Sequence, residues 1–350
     1  MSTPVSRRIA ALTGYVPGEQ PTDVRLVKLN TNENPYPPSP RVRATLREAA
    51  GGDLNRYPSP LADALRDRAA AVYRLQPDQV IAGNGSDELL AICLRACTTE
   101  GSRVAYTMPS YSLYRTLAAL AGAEAVEVQT PEIPPSESFV LPDEFVDVEA
   151  EVKFICHPNS PFGAPVDIER VAVVCEHTRG LVVCDEAYVD FGARSALPLL
   201  AEYPNLLILR TFSKSFSLAG LRLGLAFAAP ELVAELVKVK DSYNVSRLSL
   251  AAGVAALEDV AWMEGNVAKI RATRTRVIEA VRSAGYTVPG TQANFFWLEC
   301  REGGRAVYER LRAAGVLVRY FDQDRLRSGV RVTVGTDDEM DAFLRALLGA

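Results

Sequence analysis

Leu206-Leu-Ile-Leu-Arg-Thr-Phe-Ser-Lys-Ser-Phe-Ser-Leu-Ala-Gly-Leu-Arg-Leu-Gly224 passes from a short apolar run of strand length, through a hydroxyl-rich turn, to a small Ala-Gly pair. The pattern predicts a buried strand with Lys214 just beyond its end. Strand ends of open α/β sheets are where such folds bind ligands. Lys214 is the only lysine between Lys153 and Lys238. Flanked by Ser213, Ser215 and two phenylalanines, its amine is expected to be partly desolvated, which lowers its pKa and frees it as a nucleophile. Arg222 follows beyond Ala219-Gly220, where the backbone can pass close to another group. A Ser-Lys dipeptide alone reads as a solvated turn; the context carries the rest.

Outward from that stretch, Leu181-Val-Val-Cys-Asp-Glu-Ala-Tyr-Val-Asp-Phe191 predicts a second buried strand that ends at Asp185, with Tyr188 beyond it. A carboxylate there is costly unless it meets a positive partner, otherwise it caps the next helix. Val80-Ile-Ala-Gly-Asn-Gly-Ser-Asp-Glu88 reads as strand, tight turn and helix start, the arrangement that aims backbone N–H groups at a phosphate. Gly83 and Gly85 permit close approach, Ser86 is the expected N-cap, and Asp87 suits the helix dipole but would repel a phosphate it faced. Tyr111, just past the strand Val104–Pro109, can stack on an aromatic ring, whereas Tyr114 reads as core. In Val330-Arg-Val-Thr-Val334, alternation sets Arg331 among inward-facing valines, and a guanidinium is a bidentate receptor for a carboxylate. Arg319 ends the expected strand Val316–Arg319, and Arg325 and Arg327 read as loop charges. A long helix from Leu248 to about Ala284 is expected to break near Asp259–Trp262.

The bulk properties fit a soluble enzyme. The chain has 350 residues, 48% apolar and 23% charged, with a net charge of −5 that argues against nucleic acid as a main partner. No apolar run approaches the ~20 residues needed to span a bilayer, and no signal-peptide core is seen, so a cytoplasmic location is expected. Six cysteines in this length do not form a disulfide framework, and two isolated histidines, His157 and His177, supply neither a metal site nor a triad.

Ser213-Lys214-x-Phe216-x-Leu218-Ala219-Gly220-Leu221-Arg222-x-Gly224 and Asp185-Glu-Ala-Tyr188 resemble the motifs of fold-type-I, pyridoxal-phosphate-dependent aminotransferases, most closely the histidinol-phosphate aminotransferase branch. The resemblance runs from Tyr15 to Gly335. It implies a three-layer α/β/α large domain at 49–257 and a smaller α/β domain built from 1–48 and 258–350. It implies pyridoxal 5′-phosphate carried on Lys214, with Asp185 and Tyr188 as its catalytic neighbours and no metal. It further implies that Gly85, Ser86, Asp87, Ser213 and Arg222 surround the phosphate, that Tyr111 covers the ring, and that Tyr57 reaches the phosphate of a second subunit in a homodimer. Tyr15, Asn32, Arg319 and Arg331 fall on the substrate side, Arg331 as the carboxylate clamp, while Tyr243 and Asn244 match a pair near the subunit boundary. At His157-Pro-Asn-Ser-Pro-Phe-Gly163 the chain departs from the family's Pro-Asn-Asn-Pro-Thr-Gly. Asn159 or Ser160 is left to contact the cofactor's phenolic oxygen. The implied reaction is transamination between histidinol phosphate and 2-oxoglutarate. Alternatives on the same scaffold are an aromatic amino-acid aminotransferase and a threonine-phosphate decarboxylase. A regulator's sensor domain would need a DNA-binding domain ahead of the fold, and roughly 25 residues before the first motifs are too few for one.

Overall fold

The computed structural model describes residues 4–12, 14, 18–20, 26–132 and 136–349. Tyr15 lies outside them. After β1 (Val27–Lys28) the chain builds β2 (Val80–Gly83), β3 (Arg103–Met108), β4 (Glu124–Gln129), β5 (Val152–Cys156), β6 (Leu181–Asp185), β7 (Leu206–Thr211) and β8 (Gly224–Ala228). These seven strands after β1 form one sheet in the order β2-β8-β7-β6-β5-β3-β4. β8 alone runs antiparallel to the other six strands.

Continuous apolar strands demand cover on both faces. β6 shows how that is met: Val182 and Cys184 enter one core, Leu181 and Val183 the other. Helices Pro40–Ala50, Asp63–Tyr73, Ile168–His177 and Arg247–Leu257 pack on the first face, and Ser86–Cys97, Leu113–Ala121 and Pro230–Val239 on the second. This is the expected three-layer unit. Local chemistry sets the helix ends: Ser39 accepts the Val42 N–H at 3.2 Å, and Pro40 opens the helix that follows.

The remaining strands are β9 (Phe295–Glu299), β10 (Val316–Leu317), β11 (Arg319–Tyr320) and β12 (Gly329–Thr333). β11, β12 and β9 form an antiparallel sheet, while β10 pairs in parallel with β1. Phe296, Leu298, Val330 and Val332 fill a third core with helices Val260–Ser283, Gly304–Ala313 and Asp337–Leu348. The long helix does break, at Glu258 and Asp259. The expected strand Val316–Arg319 is instead two, because Val318 separates a pair joined to β1 from a pair joined to β12. No helix among the described residues is long and apolar enough to cross a membrane.

Candidate active site

β2, β3, β5, β6 and β7 all end at one edge of the large sheet, and antiparallel β8 begins there. Register sets Gly83, Gly224 and Thr211 abreast, with Cys156 beside Asp185. Loops from these ends and residues of the smaller unit line one cleft. It brings together Lys214, Asp185, Tyr188, Tyr111, Ser86, Asp87, Ser213, Arg222, Asn32, Arg319 and Arg331.

Lys214 is half-buried, with its Nζ donating to the Thr31 carbonyl at 3.3 Å and lying 5.7 Å from the centre of the Tyr188 ring. Burial, and next the Arg331 charge, push its pKa down to about 8. Asp185 is only 4% exposed. Its Oδ2 accepts the Tyr114 O–H at 2.9 Å and its Oδ1 the Ala187 N–H at 3.2 Å. Burial raises this carboxyl to about 6 against the pull of those two hydrogen bonds. Tyr114 is fully buried as expected, but it is more than core. Its ring stacks on Phe154 at 4.7 Å and meets Tyr111 edge-on at 5.6 Å, so one side chain supports both Asp185 and Tyr111.

At the cleft's other end, Gly85 takes the cap position of helix Ser86–Cys97 with φ 86°, and no side chain caps the helix. Ser86 is therefore the first helical residue rather than the N-cap, because this φ suits glycine, and its side chain lines the cleft instead. Arg222 donates to Ser213 Oγ at 3.3 Å and pairs with Asp87 at 3.2 Å. Asp87 also accepts the Tyr111 O–H at 3.3 Å. Glu88 turns away, to the Asn84 N–H and Asn244. A Cβ on Gly85 would stand 2.6 Å from Arg222 Nη2, and one on Gly224 would stand 2.7 Å from Gly85 C and Ser86 N. The bare backbone there is what lets the guanidinium reach the helix start.

Two expected members stand apart. Asn159 is fully buried but does not line the cleft; its Nδ2 donates to the Pro109 carbonyl at 3.2 Å, and Ser160 and Pro161 take the lining positions. Phe162, at the threonine's place, packs edge-on against Trp297 at 5.3 Å, so this loop contributes core between the two units. Tyr57 is 77% exposed and stacked on Tyr243 at 4.3 Å, outside the cleft of its own chain.

The smaller unit supplies the facing wall. Arg319 and Arg331 are direct partners across β11 and β12, and the Phe321 ring lies 5.3 Å from one guanidinium and 5.5 Å from the other. Arg331 donates to Ser160 Oγ at 3.2 Å and to the Asn30 carbonyl at 3.0 Å. Asn34 Nδ2 donates to the carbonyls of Lys214 and Ser215 at 3.1 and 3.0 Å, a clasp on the lysine loop that the Asn/Pro-rich sequence did not disclose. Arg325 is not a free loop charge: it donates to Gln129 at 2.7 Å and the Thr130 carbonyl at 2.6 Å, while Leu326 beside it is buried. Arg327 pairs with Asp322 and Asp324 at the surface.

A lysine of lowered pKa, a buried carboxyl, an uncapped helix start beside an arginine, and a facing arginine pair are the parts of an amino-group-transfer site. The chain belongs to the class I and II aminotransferases, whose family model matches residues 24–347. Among its relatives, histidinol-phosphate aminotransferase 1 of Trichormus variabilis is 43% identical over 342 residues, 97% of this chain and 96% of that protein. The histidinol-phosphate aminotransferase of Citrifermentans bemidjiense is 42% identical over 345 residues, with 97% and 96% covered. The crystal structure of the Sinorhizobium meliloti histidinol-phosphate aminotransferase in complex with pyridoxal 5′-phosphate superposes with a TM-score of 0.89 at 26% identity, covering 99% of this chain and 97% of that one.

Proposed function

We propose that the protein is a pyridoxal-phosphate-dependent aminotransferase acting on histidinol phosphate and 2-oxoglutarate. The observation that carries it is the pairing of two walls in one cleft. Lys214, Asp185 and Tyr188 stand on one, and the in-register Arg319 and Arg331 on the other. The residues present fit the cofactor. Ser86, Ser213, Arg222 and the bare turn at Gly85 would take its phosphate, Tyr111 its ring face, Asp185 its ring nitrogen, and Lys214 its aldehyde carbon. Asp87 contributes by holding Arg222 and Tyr111. When bound, the cofactor supplies an electron sink for the pair left on the substrate carbon that loses its proton.

The chain's own residues do the rest. With a pKa of about 8, Lys214 Nζ can take up and give back a proton near neutrality. Asp185 would stabilise a protonated ring nitrogen by its charge, with Tyr114 and the Ala187 N–H each holding one of its carboxylate oxygens. Tyr188 would offer its O–H to the phenolic oxygen. Arg319 and Arg331 orient anionic groups. Histidinol phosphate bears a phosphate and no carboxylate, while the oxo-acid bears carboxylates, and two adjacent guanidiniums serve both. Asn32 lines the cleft between the two walls, its Nδ2 donating to Tyr188 Oη at 3.0 Å. The division into 49–257 and two flanking parts belongs to the same reading, with helix Pro40–Ala50 going to the first because it packs on the large sheet; the cofactor side comes from that part and the arginine wall from the other. So does the homodimer, in which Tyr57 serves the partner's site.

The test is a half-reaction followed by cofactor absorbance. Histidinol phosphate and glutamate should each convert the cofactor rapidly to its amine form, with phenylalanine slow. Fast conversion by phenylalanine alone would make it an aromatic aminotransferase. Carbon dioxide release from threonine phosphate, with the starting spectrum recovering, would make it a decarboxylase.

A further inference from the structure

We propose that Asn32 is a positioning residue that turns the Tyr188 O–H into the cleft, and that Thr333, two residues along β12 from Arg331, fixes Asn32 for that task. The inference rests on the cofactor reading above. Asn32 is fully buried, holds a left-handed φ of 54°, and has all four polar groups committed. Its backbone N–H donates to Thr333 Oγ1 at 3.0 Å, and its carbonyl accepts Asn294 Nδ2 at 3.0 Å. Its side-chain Oδ1 accepts the Thr333 O–H at 3.1 Å, and its Nδ2 donates to Tyr188 Oη at 3.0 Å.

The direction of these bonds is what matters. A phenol has one proton to give. Because Asn32 donates to Tyr188 Oη, the Tyr188 proton is not used on Asn32 and is available to the cleft, which Tyr188 lines. The opposite amide orientation would make Tyr188 donate to Asn32 Oδ1 and leave the cleft without that donor. Thr333 decides between the two. As arranged, its hydroxyl accepts one N–H and donates to Oδ1. With the amide reversed it would receive two N–H groups, and its own proton would lose the Asn32 acceptor. The wider surroundings keep the phenol protonated. Burial raises its pKa most, with Cys156 and Asp185 adding to it, against the Arg331 charge and the Asn32 bond. Lys214 Nζ lies over the ring.

Arg331 and Thr333 share a face of β12, while Val330 and Val332 fill the core on the other. The strand that would hold a substrate anion therefore also sets the donor on the cofactor side.

The experiment is a pH titration of cofactor absorbance in the purified holoenzyme, which reads the proton shared between the Lys214 nitrogen and the cofactor's phenolic oxygen. A donor to that oxygen favours loss of the proton. Thr333→Val removes the orienting hydroxyl without adding charge and should raise the apparent pKa, by on the order of 1 pH unit. Thr333→Ser should restore the wild-type value. Tyr188→Phe should raise it as well, and Thr333→Val should add nothing in the Tyr188→Phe background. Should Thr333→Val fail to fold, Asn32→Gly tolerates the left-handed backbone and should give the same upward shift, again absent without the phenol. A cofactor-loaded Thr333→Val or Asn32→Gly protein that titrates like wild type overturns the inference alone, as does an equal shift without Tyr188. A wild-type protein that takes no borohydride-trappable pyridoxal phosphate on Lys214 overturns the cofactor reading with it.

Discussion

Lys214 and Asp185 are pushed by burial in opposite directions on the pH scale. Lys214 is brought down to about 8 by burial and then by Arg331. Capture of pyridoxal phosphate by the cofactor-free protein should therefore rise with pH through about 8, and Arg331→Met should move that midpoint upward; a pH–rate profile of cofactor attachment checks both. Lys214→Ala should abolish borohydride-trappable cofactor. Asp185 is raised to about 6. Above pH 6 the folded chain holds a buried anion that the unfolded chain keeps in water, so the group costs stability there; below about 4 both forms are protonated and the cost is gone. A shift of about two units corresponds to roughly 3 kcal/mol. Asp185→Asn should thus raise the melting temperature of the cofactor-free protein at pH 8 and leave it unchanged at pH 4, after allowance for one weakened hydrogen bond. Lys214 and Asp185 were legible in the sequence because each follows an apolar strand in a specific motif. Tyr114 was not, since its bond to Asp185 joins residues 71 positions apart and depends on where a helix lies over the sheet.

At the scale of elements, β6 and β7 are locked just behind the cleft by a buried polar network. Arg210 donates to Glu186 and Asp190, both at 2.8 Å, and to Ser195 at 3.1 Å; Asp190 accepts the Ser215 O–H. Glu186 and Ser215 are the immediate neighbours of Asp185 and Lys214, so the network fixes the spacing of the two reactive groups. Removing one member of a buried ion pair strands the other charge. Glu186→Ala should destabilise the fold by about 3 kcal/mol in urea melts, and Ser215→Ala by ~1 kcal/mol, since it deletes one hydrogen bond to a charge still held by Arg210. The strands were legible from their apolar runs. The network was not, because a sequence shows charges without their partners. For the same reason Val316–Arg319 read as one strand: only the pairing partners show that it belongs to two sheets.

For the whole molecule, the exposed Tyr57–Tyr243 stack lies outside its own cleft, and the proposed dimer gives it a use. Tyr57→Ala and Lys214→Ala proteins should each be weak or inactive, yet refolding them together as a mixture should restore about a quarter of wild-type activity, because half of the dimers hold one intact site. Activity no greater than the sum of the separate variants would place Tyr57 outside the partner's site. The strands of the large unit could be read from their apolar runs, but its three-layer arrangement came from family resemblance, since the alternation of strands and helices is only consistent with it. The assembly of the smaller unit from both chain ends came from family resemblance alone, because β1 is two residues long and owes its existence to β10.

Residues 27–34 have a mechanical consequence. Leu29 bonds to Leu317 on one side and to Thr333 on the other, Asn32 holds Tyr188, and Asn34 grips the carbonyls of Lys214 and Ser215. Eight residues thus act as a hasp across the mouth, fastened at both leaves. The doorway cannot widen by swinging this strip aside alone: either it carries the arginine wall with it as one rigid leaf, or its clasp on the lysine loop must be undone first.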